Sequence, residues 1–212
     1  MRFDEIIENF RARPYFELRE VLAISGDQPK SLKNQLSGWV GSGKLERFRR
    51  GKYLLAEPYR MRTPSVYYVS NCLLRPSYVS LHTALQCHGM SPEAVGVEQA
   101  ISPKHGRSWE TELAVFEYRS IKQDRFWGYE EYSHSREKLA QDRFLMAVPE
   151  KALVDLFYYQ PGEWTEARLA QMRFQNFERV EPDLLIEYAK RFDSPKVSTA
   201  CRRFLALIKE DA

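Results

Sequence analysis

The chain has 212 residues, 43% of them hydrophobic and 29% charged, which fits one large domain or two small ones and excludes wholesale disorder. Three cysteines in a chain of this length do not form a disulfide framework. The N-terminus is acidic where a signal peptide needs a basic segment, and the longest stretch without Asp, Glu, Lys or Arg, 76–92, is too polar to span a membrane. We therefore expect a soluble, cytoplasmic protein.

Positive charge is concentrated near the N-terminus. The whole chain has a formal net charge of +3, but residues 28–62 hold nine basic and two acidic residues. Such a local excess favours contact with nucleic acid, although a solvated basic surface gives the same pattern. The predicted elements that carry these charges help to decide between the two interpretations.

Three helices are predicted in the first 43 residues. Apolar residues three and four positions apart define a first helix over residues 3–10 and a second helix that begins near Leu18. Gly26 permits the left-handed backbone that ends the second helix, Asp27 is suited to cap the third, and Pro29 fits its first turn. The spacing thus predicts two short helices followed, after a tight turn, by a longer one.

The third helix is predicted to present a polar face to solvent. Leu32, Leu36, Trp39 and Val40 share one side of this helix and are expected to face inward. A helix that enters the major groove of DNA needs cations for phosphates and amides or hydroxyls for base edges. The residues that meet this requirement are Lys30, Ser31, Lys33, Asn34, Gln35 and Ser37.

A basic β-hairpin follows the third helix. Between residues 44 and 55, apolar and aromatic residues surround Gly51, which is expected in the turn. The basic residues at or near its tip are Arg47, Arg49, Arg50 and Lys52. Three helices and a basic hairpin follow the order of a winged helix-turn-helix, whose third helix enters the major groove while the wing contacts the backbone or minor groove. Winged helices also bind proteins, so an interaction adaptor is one alternative.

Motifs for catalysis or metal binding are not recognisable. Residues 38–44 match GxxxxGK, but Leu45 stands where a hydroxyl residue would bind Mg²⁺, and the segment follows a helix rather than a strand. These glycines are expected to end the third helix instead. The cysteines and histidines between residues 72 and 88 lack CxxC or HxxxH spacing. We therefore expect no cofactor, no metal and no enzymatic activity.

The remaining residues are expected to form a mixed α/β domain after a short linker at 60–64. Strands are predicted at 66–69, 97–102, 112–118, 126–132 and 144–148. Helices are predicted at 81–88, from Pro149, and at 165–174, 183–191 and 197–209. The sequence thus predicts an α+β protein with a winged helix-turn-helix domain at 1–60 and a second domain at 61–212. In the second domain, sheet and helices extend to about residue 160, and a bundle-like segment of helices occupies 163–209.

Two motifs in the second domain carry a family resemblance. They are PSYVSLHTAL at residues 76–85, with Gly89 downstream, and FLMAVPEKALVDL at residues 144–156. Together with the N-terminal helices and basic hairpin, they resemble the AbiEi family, the antitoxins of bacterial type IV toxin–antitoxin (abortive infection) systems. The resemblance implies an N-terminal domain that binds double-stranded operator DNA and represses its own operon. It also implies a C-terminal domain that counters a nucleotidyltransferase toxin without forming a stable complex with it.

The resemblance does not identify which residues are responsible for antitoxicity. Glu150, Lys151 and Asp155 lie in the second motif and are the candidates. The structural interpretation of the same residues is that Glu150 stabilises a helix N-terminus and that Lys151 pairs with Asp155 four positions on. A further alternative is a DNA-targeted enzyme, a nuclease or a protein-modifying enzyme, whose winged helix delivers the substrate, but no catalytic spacing supports it.

Overall fold

The computed structural model describes residues 1–92, 96–133 and 143–211. It confirms the α+β class, with helices and two β-sheets. The helices are α1 (Phe3–Phe10), α2 (Leu18–Ser25), α3 (Pro29–Gly41), α4 (Val66–Leu73), α5 (Leu81–Cys87), α6 (Pro149–Tyr159), α7 (Glu166–Gln171), α8 (Pro182–Phe192) and α9 (Pro195–Asp211). The strands are β1 (Phe16–Glu17), β2 (Leu45–Arg49), β3 (Lys52–Leu55), β4 (Tyr78–Val79), β5 (Val97–Ser102), β6 (Arg107–Glu110), β7 (Val115–Ser120), β8 (Tyr129–Ser133) and β9 (Arg143–Ala147). Within these ranges, every helix is too short or too polar to cross the hydrocarbon core of a membrane.

Residues Met1–Val69, together with Glu110–Ala114, belong to one compact unit. It contains α1, α2, α3 and a three-stranded antiparallel sheet in the order β1-β3-β2. The first three helices lie where the apolar spacing predicts them, and the rings of Phe10 and Phe16 stack with centroids 4.5 Å apart. The buried side chains of its core are Ile6, Phe10, Phe16, Val21, Leu32, Leu36, Leu45, Tyr53 and Leu55.

The second compact unit contains a six-stranded mixed sheet in the order β6-β7-β5-β4-β9-β8. β5 pairs in parallel with β7, β4 pairs in parallel with β9, and β4 pairs antiparallel with β5. α6 packs against α5, α8 and α9, and all its residues from Glu150 to Phe157 are buried. A helix that is buried on every side lies at the centre of its unit, so the charged residues of α6 must find partners inside the protein.

One predicted strand is wrong. Residues 66–69 are rich in valine and tyrosine, which favour strands, but they form the first turn of α4. This helix buries Val69, Cys72 and Leu73, which lie three and four positions apart on one face. Burial of that face outweighs the strand preference of the four residues, because β-propensity depends strongly on tertiary context.

Other predicted elements are present with shifted bounds. β5 coincides with the predicted strand at 97–102, whereas β7 begins at Val115 rather than at 112 and β8 at Tyr129 rather than at 126. α7 ends at Gln171 rather than at 174, since Arg173 adopts a φ of +49°, which an α-helix does not contain. For these elements the sequence pattern therefore predicts the position, but not the residue at which the strand or helix begins or ends.

Candidate nucleic-acid interface and buried polar cluster

α2, a three-residue turn and α3 place a polar helix face toward solvent. Gly26 has a φ of +66° and ends α2 in the left-handed conformation, and Pro29 is the first residue of α3. Leu32 and Leu36 are fully buried on the opposite side of α3. We call the exposed polar residues of this helix the α3 face: Lys30, Ser31, Lys33, Asn34 and Ser37.

For two side chains near the α3 face, Gln35 and Asp27, the structure differs from the sequence prediction. Gln35 is half-buried, and its Oε1 atom is shielded from solvent without a hydrogen-bond partner among the described residues. The prediction that Asp27 caps α3 is wrong. Because the helix begins at Pro29, the N-cap position is Gln28, whose side chain makes no capping hydrogen bond. Asp27 instead accepts a hydrogen bond from the backbone nitrogen of Met1, at 2.7 Å.

The turn of the β2–β3 hairpin is anchored to the start of α2. Gly51, with a φ of +77°, occupies the predicted turn, and its carbonyl accepts a hydrogen bond from the backbone N–H of Leu18 at 2.9 Å. The Lys52 ammonium lies 3.3 Å from the Glu17 carboxylate and 4.9 Å from the centroid of the Tyr15 ring. The charge of Lys52 is therefore directed toward residues of its own unit.

The other basic residues of the hairpin differ in their surroundings. Arg49 is half-buried, and Arg50 is exposed at the tip. Arg47 is also exposed, but it lines a cleft of about 760 Å³ together with Glu110 and Glu112. Carboxylates near a cation lower the local positive potential, so Arg50 offers the stronger charge for an anionic partner.

Among the residues that the structure describes, no carboxylate forms an ion pair with the cations of the α3 face. α3 contains no acidic residue. Elsewhere in this unit Arg13 pairs with Glu20 at 2.6 Å, whereas no ion pair among the described residues involves Lys30, Lys33 or Arg50. The α3 face and the hairpin tip therefore combine uncompensated positive charge with amide and hydroxyl groups. Such groups suit phosphates and base edges, respectively.

The second motif, residues 144–156, lies in the core of the compact unit that contains the six-stranded sheet. Lys151 and Asp155 form the ion pair predicted from their spacing, and both side chains are fully buried. Asp155 Oδ2 also accepts hydrogen bonds from the Tyr78 hydroxyl at 3.0 Å and from Ser80 Oγ at 2.8 Å. Burial lowers the pKa of Lys151 and raises the pKa of Asp155, and the contact between them opposes both shifts. This cluster joins the two motifs, because Tyr78 and Ser80 belong to the first.

Aromatic rings surround the ammonium group of Lys151. Its Nζ atom lies 4.7 Å from the centroid of the nearest Trp127 ring and 5.0 Å from that of Phe192. Gly128, with a φ of +75°, packs so closely that a Cβ atom there would lie 2.9 Å from Lys151 Cγ. Lys151 is thus enclosed by cation–π contacts and by a position that only glycine fits.

Glu150 is buried beside this pair. Its carboxylate accepts a hydrogen bond from the backbone N–H of Glu181 at 2.7 Å. Burial raises the pKa of Glu150, and this hydrogen bond opposes the shift. All three candidates for antitoxicity, Glu150, Lys151 and Asp155, are therefore core residues. The Lys151–Asp155 pair is the one that the structural interpretation foresees, whereas the hydrogen bond between Glu150 and Glu181, 31 positions apart, is not part of that interpretation.

Sequence reasoning missed the residues that complete the buried cluster. Ser80 occupies the N-cap position of α5, but its side chain donates to Asp155 and makes no capping hydrogen bond. Tyr78 lies 77 positions from Asp155 in the chain. A signal was present, because a lysine and an aspartate within a largely apolar helix must be paired and hydrogen-bonded when buried. Which groups supply those bonds depends on how the strands pack against α6.

Glu98 on β5 is a half-buried carboxylate outside both sites. Its Oε2 atom is shielded from solvent and has no hydrogen-bond partner in the part of the chain that the structure describes. Burial raises the pKa of Glu98 from 4.5 to about 7. An ionised carboxylate in such a setting destabilises the fold, because it loses hydration without gaining a partner.

We expect Glu98→Gln to stabilise the protein at pH 8 and to change its stability little at pH 5. The folded chain keeps a proton on Glu98 that the unfolded chain releases, so the contribution of this carboxyl to stability is lost as the pH rises from 4.5 through about 7. Solvent screens a half-buried group, so the gain at pH 8 should be about 1 kcal/mol, or about 2–4 °C in Tm. Thermal unfolding of both proteins at the two pH values measures it. An equal difference at both values would contradict this role of the ionised carboxylate.

Comparisons with known proteins do not assign a family. No protein-family model matches the sequence, and no curated protein matches it. Within the described ranges, no group of three or more His, Cys, Asp and Glu side chains is arranged to hold a metal ion. The functional interpretation therefore depends on the α3 face, the hairpin tip and the two motifs.

Proposed function

We propose that this protein is a DNA-binding transcriptional autoregulator and an antitoxin of the AbiEi type. The observation that carries the proposal is the α3 face, an exposed surface of lysines, serines and an asparagine on a helix without acidic side chains. The antitoxin part depends on the resemblance of the two motifs, and its functional partner would be a nucleotidyltransferase toxin. We also propose a cytoplasmic location, because operator DNA is the ligand of this proposed function.

We interpret the N-terminal unit as a winged helix-turn-helix domain. The element order α1-β1-α2-α3-β2-β3 supports this, with α2 and α3 as the helix pair and the β2–β3 hairpin as the wing. In this interpretation α3 enters the major groove, where Lys30 and Lys33 approach phosphates and Asn34 reaches base edges. Gly26 supports the arrangement, because helix-turn-helix pairs are joined by short turns that often contain glycine.

A DNA-binding titration tests the proposal directly. Fluorescence anisotropy would compare the purified full chain on its own upstream DNA and on a scrambled duplex, at two salt concentrations. We expect tighter binding to the upstream DNA and a strong decrease in affinity with salt. Equal, weak binding to both duplexes would contradict a sequence-specific regulator. No binding at low salt would favour the protein-binding adaptor.

Asn34→Ala is expected to weaken binding to the upstream DNA by about 1–3 kcal/mol and to relax the preference at one base pair. The reason is that an asparagine amide can pair with both hydrogen-bonding groups on the major-groove edge of adenine. Asn9→Ala, which removes an exposed asparagine on α1, is the matched control and should leave both quantities unchanged. Titrations against single-base variants of the site measure the effect. A loss of equal size on every sequence would make Asn34 a backbone contact.

Co-expression tests the antitoxin part. Cells that produce a nucleotidyltransferase toxin encoded beside this gene should regain growth when the full chain is also produced. Affinity purification of either protein should recover little of the other, because the resemblance implies no stable complex. Continued growth arrest with the chain present at normal abundance would contradict the antitoxin role. It would not contradict the proposed DNA binding, which the titration tests separately.

A further inference from the structure

The wing has a short tip whose backbone is held in place. β3 pairs with β1, with Phe16 opposite Tyr53. At the next position Glu17 lies opposite Lys52, and their side chains form the ion pair already described. The carbonyl of Gly51 is bonded to the start of α2. These three contacts fix the two-residue turn relative to the helix pair, so a side chain on the turn approaches DNA from a defined position.

Arg50 is the exposed cation on this turn. It immediately precedes Gly51, whose left-handed backbone completes the turn. Lys52, the next basic residue, is directed to Glu17 and is only 16% exposed. A guanidinium group is a planar fork of five donors without an acceptor, and it is more weakly hydrated than a lysine ammonium, so it enters a narrow groove lined by acceptors at a lower desolvation cost.

On the basis of the DNA-binding function proposed above, we propose that Arg50 reads the minor groove beside the site of α3 and selects A·T pairs there. In the minor groove, A·T and T·A pairs present only acceptors, whereas G·C pairs add the donor amino group of guanine. Runs of A·T pairs also narrow the groove and strengthen its negative potential, which attracts arginine. An arginine on a turn whose backbone is held in place therefore gains both hydrogen bonds and electrostatic attraction at A·T pairs. At G·C pairs the guanidinium faces the donor amino group of guanine, with which it cannot form a hydrogen bond.

A contact of Arg50 with phosphate alone is the competing arrangement. Such a contact would contribute to affinity and to its salt dependence, but it would not distinguish base pairs. Lysine would serve nearly as well there, because a phosphate contact needs a point charge. The two arrangements therefore differ in base preference and in the effect of Arg50→Lys.

The experiment first locates the contact and then changes its chemistry. Hydroxyl-radical footprints of the wild type and of Arg50→Ala on the upstream DNA identify the minor-groove positions whose protection depends on Arg50. Those positions are then rebuilt as A·T, G·C or inosine·C pairs. An inosine·C pair keeps the major-groove acceptors of G·C but lacks the amino group in the minor groove.

We expect the wild type to bind the A·T and inosine·C duplexes similarly and the G·C duplex about tenfold more weakly. Arg50→Ala should bind all three duplexes equally, and Arg50→Lys should keep the salt dependence but lose most of the preference. Arg47→Ala, which removes an arginine from the same hairpin but not from its turn, should retain the preference for A·T.

Each other outcome overturns the proposal. Equal binding of the wild type to all three duplexes would show that the wing contacts phosphate alone. Discrimination against G·C and inosine·C alike would indicate reading in the major groove. Retention of the preference by Arg50→Ala would assign it to another residue. Absence of specific binding to the upstream DNA would overturn this proposal together with the proposed function, whereas the other outcomes leave that function intact.

Discussion

Asp155→Ala is expected to lower the free energy of unfolding by about 3–5 kcal/mol, because it leaves a buried ammonium group without its carboxylate. Lys151 is fully buried, and the rings near it compensate only part of the lost pairing. The substitution also removes the acceptor of the hydrogen bonds from Tyr78 and Ser80, which leaves two buried hydroxyls to find other partners. A loss of this size is a large part of the stability of a typical domain.

Urea unfolding followed by circular dichroism measures this loss. Asp183→Ala is the matched control, since Asp183 is an exposed aspartate in the first turn of α8. Its removal should cost about 1 kcal/mol or less, the typical contribution of an acid near a helix N-terminus. Similar losses for the two variants would contradict the importance of the buried pair.

A second variant separates the contribution of the ion pair to stability from the contribution of side-chain packing. Combining Lys151→Met with Asp155→Ala removes both charges, so neither is left unpaired in the core. The double variant should be more stable than the sum of the single losses predicts, by about 0.5–3 kcal/mol. If the single losses add without coupling, packing alone accounts for the destabilisation and the ion pair contributes nothing.

Replacing Lys30 and Lys33 with alanine is expected to flatten the salt dependence of binding to the upstream DNA. Each lost phosphate contact lowers the slope of log K against log salt by about 0.9, so the double variant should lose about 1.8. Its affinity deficit should consequently be about tenfold larger at 50 mM than at 200 mM salt. The exposure of both lysines and the lack of acidic residues on α3 are the physical reasons to expect full phosphate contacts.

The charge-matched control is Lys190→Ala combined with Lys209→Ala, which removes two exposed lysines from α8 and α9. This control changes the net charge equally and should leave the slope near its wild-type value. Anisotropy titrations over a range of salt concentrations measure both slopes. Equal slopes for the two double variants would show that net charge, rather than the α3 face, governs the salt dependence.

Elements near the N-terminus could be predicted well because their signals are local. The apolar spacing over 3–10 and along α3 is the spacing of a helix that buries one face, and Leu32 and Leu36 are buried as expected. Gly51 occupies the turn of the hairpin as expected, since a left-handed position strongly favours glycine. Predictions from composition alone were weaker, as the helix at 66–69 shows, because valine and tyrosine are accepted in either structure when packing favours it.

The partners and the exposure of charged side chains were harder to predict than the positions of helices. Four hairpin cations look equivalent in the sequence, yet Lys52 is directed to Glu17 and Arg47 shares a cleft with acidic side chains. Glu17 pairs with Lys52 because β1 lies beside β3, and a two-residue strand leaves almost no pattern in the sequence. The sequence therefore indicates where positive charge accumulates but not which cation a ligand can reach.

The sequence by itself determined the polar face of α3 and the pairing of Lys151 with Asp155, because residues three and four positions apart on a helix are neighbours in any fold. Only the tertiary structure decided that this pair is buried, and that Tyr78 and Ser80 complete it from 77 and 75 positions away. Tertiary packing also decided that Arg50, rather than Lys52, is the exposed cation at the tip of the β2–β3 hairpin. The physical reason is that local spacing sets the direction of a side chain on its own element. Burial and long-range partners depend on which elements pack together.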